Sequence, residues 1–213
     1  MDANRIDELV DGGLRTQAEL EEVLGAAHPA ILDKARPHLT PLIREYLSLA
    51  PFFTLATADA DGNCDCSPRG DERSTVLVLD DHTIVLPDRP GNRRADSYRN
   101  ILANPHVGLL FFVPGDEEVV RINGRATLST DPELLEQLSL NGKPAQLAVI
   151  VRIDEVFMHC ARALLRARLW NPATWPEPDL VPSMRDMHAE LVSIEVAADA
   201  EPGKGELYRE YLY

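Results

Sequence analysis

From Phe52 onward the apolar residues come in short runs broken by turn signals: FFTLAT, then DADGN, NCDCS, TVLVL, DDH and TIVLP. Runs rich in Val, Leu, Thr and Phe between clusters of Asp, Gly and Asn predict β-strands, with Asp61-Gly62 as a hairpin turn. The pattern resumes in HVGLLFFVPG, VVRINGRATL and QLAVIVRIDEVFMHC. Six or seven strands with little room for crossover helices predict a mostly antiparallel barrel rather than a doubly wound sheet.

One helix interrupts the strands. In GNRRADSYRNILAN the residues Ala95, Tyr98, Ile101 and Leu102 recur at helical spacing, and Asn104-Pro105 ends the segment. Before Phe52 the chain reads as helical: Thr16 and Glu19 form a capping box ahead of Leu20, Val23 and Leu24, and Thr40-Pro41 is an N-cap followed by proline. Asp131-Pro132 starts a helix in DPELLEQL, and ARALLRARLW forms a short basic one. NPATWPEPDLVP should be irregular, with a last helix from about Ser183 to Leu191 before the polar, aromatic tail GKGELYREYLY. The expected organisation is a helical arm over 1–50, a barrel over 51–170 and a C-terminal extension packed on it over 171–213.

Charge narrows the partners. The 213 residues carry a net charge of −14, which disfavours nucleic acid and anionic membranes, so a bound phosphate must meet a local basic pocket. Three cysteines are an odd number, and Cys64 and Cys66 are too close to pair readily, so a reducing cytoplasm is expected, with these thiols buried and inert. MDANRIDELVDGG has no apolar signal-like stretch, and no uncharged run approaches a membrane span. Metal binding is not expected, because C-x-C and scattered histidines lack ligand spacing. Dinucleotide, P-loop and hydrolase motifs are missing from the sequence as well.

Three stretches could carry chemistry. Gly91-Asn92-Arg93-Arg94 sits where a strand gives way to a helix, so backbone N–H groups, the helix dipole and two guanidinium groups can converge as a phosphate cradle. The alternative is a solvated helix start whose arginines pair with acids. Cys64 to Asp71, CDCSPRGD, follows a strand, and its Pro and Gly predict a bend that is either a ligand contact through Arg69 or a turn with a surface ion pair. His159-Cys160 ends the longest strand, with Arg162, Arg166 and Arg168 following at helical spacing. Adjacent strand residues face opposite ways, so His159 is a hydrogen-bond donor rather than a base for Cys160.

In order, PFFTLATADADGNCDCSPRGD, TIVLPDRPGNRRADSYRNILANPHVGLLFFVPG, RINGRATLSTD and VFMHCARALLRARLW resemble the pyridoxamine 5′-phosphate oxidase-like FMN-binding proteins over roughly Phe52 to Trp170. The resemblance implies a mainly β fold, a six-stranded split β-barrel pairing into a homodimer with FMN in clefts between subunits. It implies flavin contacts at Ser67, Arg69, Gly70 and Asp71. The ring would lie against strand backbone at Val76, Leu77 and Val78, and the phosphate at Asn92, Arg93, Arg94 and Ser97. His159, Arg162, Arg166 and Trp170 would come from the partner subunit. The true oxidases carry an Arg-x-Val-Leu-Leu-Lys strand and an Arg-Lys pair before Asn-Pro, whereas this chain reads STVLVL and Asp96-Ser97, so Arg93 or Arg94 must hold the phosphate. The oxidases' substrate-binding Arg-x-His has no counterpart in GELYREYLY. The resemblance implies an FMN-dependent oxidoreductase of unknown substrate; the alternative is a non-catalytic flavin- or haem-binding module, haem being held through His159.

Overall fold

The structure is a computed structural model that describes residues 2–91 and 93–191. The chain divides between Ala35 and Arg36 into two compact units. The first holds helices α1 (Ala3–Asp11), α2 (Gln17–Leu24) and α3 (Pro29–Leu32). The expected capping box is present in α2: Thr16 accepts from the Glu19 N–H while the Glu19 carboxylate accepts from the Thr16 N–H.

The second unit contains α4 (Pro41–Leu49) and a seven-stranded sheet. Its strands are β1 (Phe52–Ala58), β2 (Cys64–Gly70), β3 (Leu77–Asp80), β4 (Thr83–Pro87), β5 (His106–Phe112), β6 (Val119–Ser129) and β7 (Ala148–His159). The order is β2-β1-β5-β6-β7-β4-β3 and every pairing is antiparallel, so the sheet begins and ends on free edges and does not close. The mainly antiparallel architecture with peripheral helices is the one the strand pattern predicts, with seven strands in the described sheet where the family resemblance implied six.

Period-two alternation builds the core. Phe53 and Leu55 of β1, Leu109 and Phe111 of β5, Ile122 of β6, and Val149 and Val151 of β7 point to one interior and are at most 5% exposed. Each such side chain contributes about 1.5–3 kcal/mol by leaving water. β4 is buried along its whole length because a second cluster covers its other face: Val85 and Ala148 pack with Leu134 and Leu138, contributed by α6 (Pro132–Gln137) and the residue that ends it. α4, capped by Thr40 with Pro41 following, places Leu47 in the main core, and the nearby Tyr46 hydroxyl donates to the Glu118 carbonyl at 2.9 Å.

α5 (Asp96–Ala103), between β4 and β5 in chain order, packs against β1, β2 and β6, anchored by Ile101 and by Asn100, whose amide donates to Thr57 of β1 at 3.0 Å. Leu102, expected on its inward face, is 77% exposed. The helix starts at Asp96, and the residue after Ile101 lies one helical step, about 100°, off the buried stripe. α7 (Arg162–Ala167), two 3₁₀ turns (Pro172–Thr174 and Pro178–Leu180) and α8 (Met184–Leu191) follow β7; GKGELYREYLY lies outside the described residues. Among the described residues, no helix is long and apolar enough to cross a membrane.

Candidate functional site

CDCSPRG is not a bend. It forms the edge strand β2, in which Pro68 pairs with Thr54 and Arg69 with Phe53. An edge position tolerates a proline because one side of the strand needs no ladder donor. Strand geometry then sorts the stretch by parity. Asp65, Ser67 and Arg69 face a cleft, whose rim Pro68 also borders, while Cys64, Cys66 and Gly70 face outward and are exposed. All three cysteines are exposed and unpaired, and for Cys64 and Cys66 the expectation of buried thiols fails by the same parity.

The cleft, of ≈ 940 Å³, is walled by β2, by the loop from Asp88 to Ala95, by the first turn of α5 and by Gln146 and Leu147 before β7. Its volume lies within the range of small-molecule sites. A continuous polar chain runs along its floor. Ser97, 3% exposed, donates to Asp65 Oδ2 at 2.6 Å and sits 3.1 Å from the Ser67 hydroxyl, which accepts from Arg69 Nε at 3.3 Å. Arg69 Nη1 donates to the Tyr98 hydroxyl at 2.7 Å, and that hydroxyl donates to Asp88. The guanidinium also lies 5.1 Å from the Tyr98 ring centre, a cation–π contact. Burial, followed by the hydrogen bond to Asp88, pushes the Tyr98 phenol well above its ordinary range, so it stays a neutral donor. Arg69 is thereby oriented, and its charge is offset by Asp88, 3.7 Å away.

At the mouth the balance differs. Arg94 pairs with Asp96, whereas Arg93 has no acidic partner among the described residues. Arg93 and Ala95 both occupy the left-handed region, with φ of 61° and 59°. That conformation is uncommon for residues with a Cβ, and it turns the chain sharply into α5 at the cleft. Asn92 lies outside the described residues.

The sequence-derived candidates divide into three groups. Ser67, Arg69, Arg93, Arg94 and Ser97 line one cleft. Asp71 lies beneath it and accepts from Arg89 Nε at 3.0 and 3.1 Å, and Gly70 ends β2 against Phe52. Val76 and Val78 pack into the main core and Leu77 against the α6 cluster, so their side chains belong to the interior rather than to this cleft. His159 ends β7, roughly 40 Å along the strand from Leu147. Arg162 and Arg166 are exposed on α7, and Trp170 donates to the Asp116 carbonyl at 2.6 Å, so none of these four reaches the cleft within one protomer.

Sequence reasoning missed Asp65, Asp88, Arg89 and Tyr98 as site residues. Asp65 shares its strand parity with Ser67 and Arg69, a signal hidden by reading Pro68 as a bend. Asp88 and Arg89 sit between Pro87 and Pro90 and read as loop punctuation.

The family model described as pyridoxamine 5′-phosphate oxidase matches residues 39–160, more than half of the chain. No curated protein matches the sequence. Among solved structures, HupZ from Group A Streptococcus is 17% identical, with 56% of this chain and 93% of that one covered at a TM-score of 0.46. A candidate pyridoxamine 5′-phosphate oxidase from Lactobacillus delbrueckii is 25% identical, with 57% and 95% covered at a TM-score of 0.45. An FMN-binding protein from Syntrophomonas wolfei is 16% identical, with 68% and 96% covered at a TM-score of 0.42. The matched segment begins two residues before α4 and ends just past β7, taking in the whole sheet, α5 and the cleft. On that sequence match, the chain belongs to the pyridoxamine 5′-phosphate oxidase family.

Proposed function

We propose that the protein binds FMN in the cleft between β2 and α5 and acts as a flavin-dependent oxidoreductase on a small substrate. The observation that carries this reading is the uncompensated Arg93 at the mouth of a cleft whose floor is polar and already charge-balanced. A phosphate monoester needs a cation and hydroxyl or amide donors, which Arg93, Arg94 and Ser67 supply; Ser97 is committed to Asp65 and orients Ser67. The residues therefore fit the group. β3 is a sheet edge, so one row of its backbone polar groups is left available to a planar ring, which supports the role expected at Leu77 and Val78. Bound FMN would supply the electron-transfer chemistry, while the chain supplies orientation, access and potential.

The test is an FMN titration of the apoprotein followed by flavin fluorescence. Arg93→Gln is expected to weaken FMN by about tenfold or more, the size of a lost charge-assisted hydrogen bond, with the unfolding midpoint unchanged because the side chain is exposed. Equal FMN affinity in Arg93→Gln and the parent chain would count against this placement of the phosphate.

The same reading includes a homodimer, in which His159, Arg162, Arg166 and Trp170 reach the partner's cleft. It is supported by the outer face of the sheet, where register brings Ala56, Ala58, Cys64, Cys66, Gly108 and Leu110 into one patch of small and apolar side chains. On the same face Arg121 bonds Glu155 at 3.1 Å, yet its Nε is buried without an acceptor among the described residues. Sedimentation equilibrium should return twice the 23.6 kDa chain mass; a monomer at micromolar concentration contradicts the shared site. The three unpaired cysteines support a cytoplasmic location, and recovery of the expressed protein outside the cytoplasmic fraction would refute it.

A further inference from the structure

A second cleft, separate from the flavin site proposed above, lies on the solvent side of β6 and β7. Register places Arg125 and Arg152 directly opposite each other on adjacent strands. Like charges in that position repel, because their Cβ atoms stand only about 4.5–5.5 Å apart. Asp154 lies 3.6 Å from Arg125. Arg152 has no carboxylate at ion-pair distance among the described residues; its Nη1 donates to the neutral Thr83 hydroxyl at 2.9 Å, which aims the guanidinium without cancelling its charge. In a chain of net charge −14, the lining thus holds two arginines against one aspartate.

The arginines border a cleft of ≈ 580 Å³ whose other walls include His82, Thr127, Pro37 and Pro105. His82 is held through Nδ1, which donates to the Pro37 carbonyl at 2.8 Å. Pro37 is fixed in turn because its neighbour Arg36 makes a two-way backbone bridge with Val156. Asp80 accepts from the His82 N–H and lies outside the lining, acting on Arg152 only at longer range than an ion pair, from behind Thr83. The groups are therefore mounted on strands and a bridged segment rather than on a loose loop.

We propose that this cleft binds a small molecule through a dianionic oxyanion, of phosphate-monoester chemistry. The oxyanion bridges Arg125 and Arg152, relieving their repulsion, with Thr127 and His82 beside it and the two prolines forming an apolar wall for the remainder of the ligand. Two guanidinium groups converging on one oxyanion is an arrangement to which arginine geometry is suited.

Inorganic phosphate is the probe, titrated calorimetrically into the full-length protein, with thermal unfolding measured in parallel. Saturable binding is expected that persists in Arg93→Gln and is weakened about tenfold or more in Arg125→Gln and in Arg152→Gln. In phosphate-free buffer, Arg125→Gln should unfold at or above the parent temperature, since it removes one of two opposed charges. Absence of saturable phosphate binding overturns the proposal. So does binding that survives both arginine substitutions, and so does binding lost in Arg93→Gln alone, which would put the phosphate in the β2/α5 cleft. If Arg152→Gln unfolds through loss of its Thr83 contact, Arg125→Gln, on an exposed side chain, still decides the matter.

Discussion

Replacing Arg89 by leucine is expected to lower folding stability by about 3–5 kcal/mol, the cost of stripping one partner from a buried ion pair. The side chains of Arg89 and Asp71 are only 17% and 4% exposed. Arg89 Nε reaches both Asp71 oxygens, and Nη2 donates to the Leu138 carbonyl at 3.0 Å. Without it, Asp71 retains Thr75, whose hydroxyl donates at 2.6 Å, and no cation among the described residues; Leu138 loses a donor at the same time. The pair also ties the residue after β2 to the loop after β4, the two walls that carry Arg69 and Arg93, so flavin affinity should fall with stability. Urea unfolding measures the effect, and a loss under about 1 kcal/mol would show that the pair is not desolvated as described. Adding Asp71→Leu to Arg89→Leu should restore most of the loss, because no uncompensated charge then remains.

The second large effect is expected at Gly124. The register of β6 against β7 shifts between Asn123 and Gly124, and there the backbone of β6 presses against the carbonyl of Arg152. A Cβ on Gly124 would overlap that carbonyl oxygen while standing 3.0 Å from its carbon and 3.1 Å from Val151 Cγ1. These are backbone and core atoms that cannot swing away, so Gly124→Ala should cost about 3 kcal/mol or more, at the upper end for overpacking. Gly142→Ala is the reference: its φ is 73°, but the space around it is open, and the expected cost is about 1 kcal/mol. Thermal unfolding of the two variants should separate them clearly. Similar losses at both positions would mean that β6 and β7 are not held this tightly.

Strands such as β1 and β5 were legible because one face is buried, which writes itself into the chain as alternation; β4, with the main core on one face and α6 on the other, was legible as an uninterrupted apolar run. Helix starts were legible through Thr16, Thr40 and Asp131, whose side chains accept N–H bonds from the first turns they cap. The site was read only in part. Arg93 and Arg94 stood out by local charge, but Asp65 and Asp88 gain their roles from Ser97 and Tyr98, partners 32 and 10 residues away that only the folded sheet brings within reach. Pro68 misled because proline signals a turn in most contexts, and its tolerance here depends on β2 being an edge, a property of topology rather than of local sequence. The exposure of Cys64 and Cys66 follows from the same strand parity.

The measurement that bears most directly on the proposed flavin site is the visible spectrum of the purified protein, taken before and after adding FMN, with the released chromophore identified by mass. An oxidised-flavin spectrum and the mass of FMN are predicted, at one flavin per chain, with binding weakened by Arg93→Gln. A Soret band would transfer the case to haem and to His159, and a colourless protein that takes up no FMN would contradict the account.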